Sequence, residues 1–322
     1  MVPTLDEAMK DQNPYSYVRL DSSLYKDLRY ISKSAFGFDP GEEYYRKKNE
    51  TSKLGEPFLG YIAYSNSGEP SAFYGVYAHP VEYEGKHYIA AQSGDTMTHK
   101  AHTGKGLFTE LAKLTYALAK EKGIQFIFGF PNKNSYPGFV KKLSWQCPGT
   151  LKEYRKKVFT FPLVKFAKKF ALLRFPYNLY TSFIFSFFNS PKDIFKNSVL
   201  ESGVAGITRN SDFIQYKKFS GSRLISINGF SVWLKVDGML QIGDVERSAN
   251  KDFDRFLQKL KRIAFLIGAD TIVFQTSPET WWDKYLSERC VPVESLSFGF
   301  LDLGFHFPLE KLKFVGADAD TF

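Results

Sequence analysis

The stretch from Lys100 to Phe108, Lys-Ala-His-Thr-Gly-Lys-Gly-Leu-Phe, sets two glycines around one lysine just where an apolar-striped helix begins. The first N–H groups of a helix have no intrahelical partners, and with the helix dipole they make a site for an anion. Gly104 and Gly106 let a phosphate approach the main chain and accept unusual backbone angles, and Lys105 adds a cation beside it. The spacing is not that of a P-loop. Nor does it follow the first strand of a parallel unit, as a dinucleotide-binding GxGxxG would.

The elements that must hold this loop read as alternating helix and strand. Residues 20–36 carry Leu24, Leu28, Ile31 and Phe36 close to helical spacing. The aromatic and β-branched runs 57–65 and 71–81 flank Asn-Ser-Gly-Glu-Pro and read as an antiparallel pair, and 86–99 is a third strand after Glu84-Gly85. The helix after the loop sets Leu107, Leu111, Leu114 and Leu118 on one stripe and stops at Gly123; residues 124–131 read as a buried strand. The expected class is α/β, a mixed and mainly antiparallel sheet with helices on both faces.

Bulk properties narrow the setting. A chain of 322 residues, 43% hydrophobic and 24% charged, is long enough for two ordinary globular domains. Cys147 and Cys290 read as free thiols of a reducing compartment. Residues 1–12 lack a basic segment followed by an apolar core, so no secretory signal is expected and a cytoplasmic location is the default. The net charge of +9 points to an anionic partner. Without an arginine-rich tract, zinc-finger spacing or RNA-binding signature, no nucleic acid is expected. His79, His87 and His306 stand singly, and no metal site is expected.

Much of the positive charge lies in residues 151–175, followed by an uncharged run from Phe175 to Pro191. That run is shorter than the ~20 residues a spanning helix needs and is broken by Pro176, Asn178 and Asn189. Two readings stay open for 165–189. It is a connector packed between two domains, or it makes peripheral membrane contact, with Lys165, Lys168, Lys169 and Arg174 meeting lipid headgroups.

Residues 94–99, Gly-Asp-Thr-Met-Thr-His, the run 104–112, and 129–145 from Gly-Phe-Pro-Asn to Leu-Ser-Trp together resemble a known pattern. It is the strand, pyrophosphate loop, helix and strand-to-helix stretch of the GNAT acetyltransferase superfamily, in the variant found in bacterial surface-polysaccharide gene clusters. The resemblance covers about residues 15–150. The superfamily signature, Gln or Arg, two residues, Gly, one residue, Gly or Ala, falls on Thr103, Gly106 and Phe108, so two of its three positions depart. The resemblance implies acetyl-CoA, or another acyl-CoA, as cofactor. Strand groups of Met97 and Thr98 would meet its pantetheine arm, and Thr103, Gly104, Lys105, Gly106, Leu107 and Phe108 would surround its pyrophosphate. Asn132 and Asn134 are candidates for the amide-bearing arm; as turn-forming asparagines they are equally well explained.

Direct acyl transfer to an amine needs a base for the ammonium proton, an N–H for the carbonyl oxygen, and an acid for the leaving thiolate. Asp95 and His99 are the candidate bases; Gln92, where some relatives hold glutamate, could only orient substrate or water. Tyr136 is the candidate acid, one turn before Val140, which occupies the position nearest the usual tyrosine.

The second half repeats the order of the first: a strand in 238–246, a helix in 250–268 with Phe253, Phe256, Leu260, Ile263 and Ile267 inward, and a strand in 269–278. Two GNAT-like domains in tandem are expected, with 1–150 binding acyl-CoA, 151–204 a basic and aromatic connector, and 205–322 a second unit. The loop of that unit, 247–252, lacks glycine and carries acidic residues near its helix, so it would repel a pyrophosphate and the unit would instead wall the acceptor site. Trp281 and Trp282 are read first as core and otherwise as a sugar platform. The tail is read as docked by Phe314 and Phe322, with Asp318 and Asp320 solvated or capping a turn. Three functions stay open: N-acetyl transfer to a small-molecule or sugar-linked amine, aminoacyl-type transfer to a cell-envelope precursor at a membrane, and acyl-CoA binding without turnover.

Overall fold

A computed structural model describes residues 14–191, 195–201, 203–246 and 252–322. The chain begins with β1 (Tyr15–Arg19), α1 (Tyr25–Phe36), α2 (Glu42–Asn49), β2 (Leu59–Ser65), β3 (Pro70–Tyr83) and β4 (Lys86–Thr98). After the glycine loop come α3 (Leu107–Glu121), β5 (Phe126–Gly129), α4 (Tyr136–Leu143) and β6 (Gln146–Lys157). The helices α5 (Leu163–Lys169) and α6 (Ala171–Ser186) lead to β7 (Gly206–Ile207), α7 (Ser211–Lys217), β8 (Arg223–Ile227), β9 (Phe230–Val236) and β10 (Leu240–Val245). The chain closes with α8 (Phe253–Leu266), β11 (Thr271–Thr276), α9 (Trp281–Ser287) and β12 (Val293–Asp302).

Local chemistry sets several of these boundaries. Glu84-Gly85 and Asn228-Gly229 both have positive φ at each residue, the two-residue turn that matches strand twist, and so fold β3 onto β4 and β8 onto β9. Phe73 packs with Tyr25, Leu28 and Ile31 of α1, whereas its neighbour Tyr74 packs with Leu111 and Phe139 of α3 and α4. Successive strand residues point to opposite faces, so α1 and α3 cover opposite sides of the sheet. Phe36, expected inward, is exposed at the end of α1, where it lines the cleft described below.

One sheet runs β1-β2-β3-β4-β5-β12-β6-β11-β10-β9-β8, with β7 pairing with β3. Among the named strands only β4 with β5 and β10 with β11 are parallel; the other pairings are antiparallel. The last strand, β12, lies between β5 and β6, and β6 in turn pairs with β11. Each half of the sheet is therefore completed by a strand from the other half. Residues 151–157, assigned from the sequence to a connector, belong to β6.

In the second half Phe256, Leu260, Ile263 and Ile267 are buried as expected, and Phe253 is partly buried. Trp282 is buried, and Trp281 stacks on it beside Phe253, so both belong to packing rather than to a sugar platform. Phe314 and Phe322 anchor the tail. Asp318 is not solvated: it is fully buried, paired with Arg209 and capping the turn at Val315. Within 165–189, α6 packs one stripe on the second half, where Thr181 and Phe185 are buried, and leaves the rest of its surface largely outward. Residues 1–12, and 247–251 of the second loop, lie outside the described residues.

Candidate active site

Strands β4 and β5 pair over only three positions, Ala91↔Ile127 to Ser93↔Gly129. Beyond Ser93 the strands part. β4 keeps its β3 partners, Phe73↔Met97 and Ala72↔Thr98, and its other edge has no strand partner among the described residues. The resulting cleft, about 370 Å³, has Gly94, Asp95 and Thr96 on one wall, Phe130 and Asn132 on the other, and Asp320 of the tail at its rim.

The glycine loop follows directly from β4. Gly104 and Gly106 adopt φ of 77° and 81°, and no atom lies within 4 Å of where a Cβ would stand on either. The N–H groups of residues 104–108 meet no backbone acceptor among the described residues. Gly106 is the N-cap of α3, so these donors sit at the positive end of a fifteen-residue helix. Leu107 and Phe108 turn their side chains inward, Leu107 into the core and Phe108 against Tyr74 and Phe139, and so offer only main chain to the loop. Thr103 uses its hydroxyl on Lys100 C=O. Free main-chain donors and an unpaired strand edge fit a diphosphate followed by an extended, amide-bearing arm. Met97 Sδ accepts from Tyr45 OH inside the core, so the side chain of Met97 faces away from any ligand.

Asp95 lines the cleft at a positive φ of 49°. Its carboxylate accepts from Lys48 Nζ at 2.9 Å and from Tyr77 OH at 2.8 Å. Lys48 is buried and also reaches Asp320 Oδ2 at 3.2 Å. Burial alone opposes the ammonium charge, but Asp95 and Asp320 outweigh it and hold the Lys48 pKa well above the ordinary lysine value. Burial, then Asp95, pushes the Tyr77 phenol well up, so Tyr77 stays a donor. Two carboxylates and one ammonium leave a net negative site facing the cleft, suited to an ammonium acceptor.

His99 is not brought to the cleft. Its ring stacks on Tyr30 and its Nε2 faces Glu69 Oε1 at 3.9 Å, while His102 Nε2 meets Glu69 Oε2 at 3.2 Å. The three side chains lie at metal-ligand spacing. Ala101 N–H donates to His99 Nδ1, however, which places the ring proton on Nε2 toward Glu69. A ligating Nε2 needs the opposite tautomer. With Tyr15 OH on His102 Nδ1, the trio reads as a clamp joining β1, the β2–β3 turn and the glycine loop.

Tyr136 begins α4, half exposed, and does not line the cleft; Ser135 and Phe139 on either side of it do. Asn132 Oδ1 accepts from the N–H groups of Asn134 and Ser135, so Asn132 shapes the turn, and Asn134 is exposed outside the cleft. Gln92 is buried, its amide donating to Asp318 C=O at 2.8 Å, so it orients the tail rather than substrate.

The parallel junction of β10 and β11 has the same local geometry. By register Ile242-Gly243-Asp244 stands where Ser93-Gly94-Asp95 stands in the first. There the protein fills the space itself. The Phe322 ring lies directly on Gly243, Val315 bridges Thr276, and Asp244 pairs with buried Arg209. Sequence reasoning missed Lys48 and the clamp on the tail, Lys217 Nζ to Ala319 C=O and Lys235 Nζ to Thr321 C=O. The one sequence signal was Tyr44, Tyr45 and Lys48 falling on one face of a short polar helix.

Residues 16–147 match the acetyltransferase (GNAT) domain family. A conserved protein of unknown function from Enterococcus faecalis, described as a probable N-acyltransferase, superposes with a TM-score of 0.60 at 12% identity, over 92% of this chain and 75% of its own. A GCN5-related N-acetyltransferase from Kribbella flavida gives 0.54 at 12% identity, over 89% and 70%. One from Anabaena variabilis gives 0.54 at 11% identity, over 90% and 73%. No curated protein sequence matches the chain. The family match places a GNAT domain in residues 16–147, a kind of domain that generally uses acetyl-CoA as acyl donor, and the structural likenesses at 11–12% identity show a shared fold.

Proposed function

We propose that this chain is an acyl-CoA-dependent N-acetyltransferase acting on an amine of a sugar or cell-envelope precursor by direct transfer. One observation carries the reading: a β4 edge with no strand partner among the described residues leads into a loop whose main-chain donors, 104–108, meet no backbone acceptor among those residues. We read the chain as two GNAT-like units, of which only the first keeps its junction open. The tail that fills the second junction with Val315 and Phe322 also lines the first through Ala319, Asp320 and Thr321.

When bound, acyl-CoA supplies the activated acyl group. The loop N–H groups and Lys105 would hold its diphosphate, and the β4 edge its amide-bearing arm. Asp95, fixed by Lys48 and Tyr77, positions the acceptor ammonium. Asp320, held among the described residues by Lys48 through Oδ2, takes the proton on Oδ1 as the amine becomes nucleophilic. Phe130 and Trp145 give the cleft an apolar lining. The basic surface suits a phosphorylated acceptor such as a nucleotide-linked or lipid-linked amino sugar.

Titration calorimetry with acetyl-CoA, followed by thiol release against amino sugars and their nucleotide-linked forms, tests the reading. Gly106→Asp should abolish acetyl-CoA binding, because it adds a carboxylate to the anion site at a positive φ. Asp320→Asn should keep binding and lose thiol release. Undiminished binding by Gly106→Asp would refute the site. A second reading, ligand binding without turnover, is favoured by the position of Tyr136 outside the cleft; binding with no thiol release for any amine would select it.

A further inference from the structure

The helix α6 is turned inside out for a protein in water. Leu172, Phe175, Leu179, Phe183 and Phe187 recur every three or four residues, the spacing of one helical stripe, and that stripe faces outward. Leu172 is 92% exposed, Phe175 73% and Phe183 61%. The opposite stripe holds the helix down: Thr181 and Phe185 are buried, Tyr177 OH donates to Ile267 C=O, and Tyr180 OH to Leu266 C=O. Of the 23 large hydrophobic residues exposed among those described, 12 fall between 159 and 187. They form a patch rather than a scatter, and patches of this kind mark interaction surfaces.

The charge around the patch selects the occupant. No acidic residue occurs from 154 to 192, while Lys165, Lys168, Lys169 and Arg174 lie along α5 and the first turn of α6. Lys165 and Lys168 reach Asp270 and Asp237, and Lys169 and Arg174 have no carboxylate partner among the described residues. A second copy meeting this face about a two-fold axis would set these cations against themselves. A bilayer with anionic headgroups accepts both the apolar stripe and its cations. The helix, sixteen residues or ~24 Å long, is too short for a ~30 Å hydrocarbon core, and no described helix is long and apolar enough to cross a membrane.

We propose that α5 and α6 dock this protein on an anionic membrane surface, with the outer stripe of α6 lying in the headgroup boundary. This inference does not depend on acyl transfer. The test is sedimentation of the full chain with vesicles of phosphatidylcholine alone and of phosphatidylcholine mixed with phosphatidylglycerol. Capture is expected by the mixed vesicles, falling as salt is raised. The combined change Leu172→Ser, Phe175→Ser, Phe183→Ser, and separately Lys169→Gln, Arg174→Gln, should each lower partitioning by about tenfold or more without moving the melting temperature, since all five side chains are exposed. Phe185 is left intact because it is buried. No capture by the mixed vesicles overturns the proposal. So do equal capture by phosphatidylcholine alone, unchanged capture of the serine variant, or a concentration-dependent dimer that the serine changes abolish in the absence of vesicle binding.

Discussion

His79 lies in the middle of β3 with its ring against Phe128, Phe213 and Tyr216, and its Nδ1–H donates to Tyr77 C=O. Burial, with Lys217 adding to it, pushes the His79 pKa down to about 3, against about 6.5 in an open chain. As pH falls below about 6.5 the unfolded chain takes up a proton that the folded protein refuses. The contribution of neutral His79 to stability is therefore complete above about 6.5 and is lost between there and about 3. In thermal melts from about pH 7 to pH 5, His79→Leu should lose less stability than the native chain; parallel curves would show that His79 is not held neutral. Lys48 makes the complementary case of a charge kept inside by two carboxylates. Lys48 was not marked in the sequence, because it meets partners 47 and 272 positions away. Gly104 and Gly106 were legible, since their requirement is local: a positive φ at the entry to a helix.

Among the elements, α4 depends on a glycine for a packing reason. A Cβ on Gly138 would stand 2.8 Å from the Phe108 ring, which is wedged between α3 and α4 and has no flexible end to swing away. Gly138→Ala should therefore cost about 1–3 kcal/mol in urea unfolding, despite the better helix propensity of alanine. A gain in stability would mean that α4 can slide freely. Strands β2 to β5 and helix α3 were readable because their apolar residues follow periods of two and 3.6. Helix α2 escaped notice because its run Glu-Glu-Tyr-Tyr-Arg-Lys-Lys-Asn is mostly polar. In α6 the apolar stripe was visible, but its outward direction was not, because periodicity gives a face and not what that face meets.

For the whole molecule, the exchange of β6 and β12 joins the two halves more firmly than a linker would. Without β12 a fragment ending near residue 158 would leave the facing edges of β5 and β6 unpaired over Gly129 to Phe126 and Gln146 to Glu153. Exposed edges of this kind seed association. Such a fragment, expressed alone, should aggregate or unfold without a cooperative transition. A soluble fragment with a sharp urea transition would show that the first half folds without its borrowed strand. The tail ties the halves a second time: Arg209, Lys217 and Gln92 all hold residues 318–319, and Phe322 closes the junction of β10 and β11.

The sequence by itself determined the glycine loop, the helix behind it and the alternation of elements around it, since each follows from the chemistry of a few adjacent residues. It also determined the repeated order of strand, helix and strand in the second half. Only the tertiary structure decided which junction is open, which carboxylates face it, and that the last strand and the last seven residues belong as much to the first half as to the second. These depend on which distant segments share space, and buried ion pairs or exchanged strands leave no period along the chain for a reader to find.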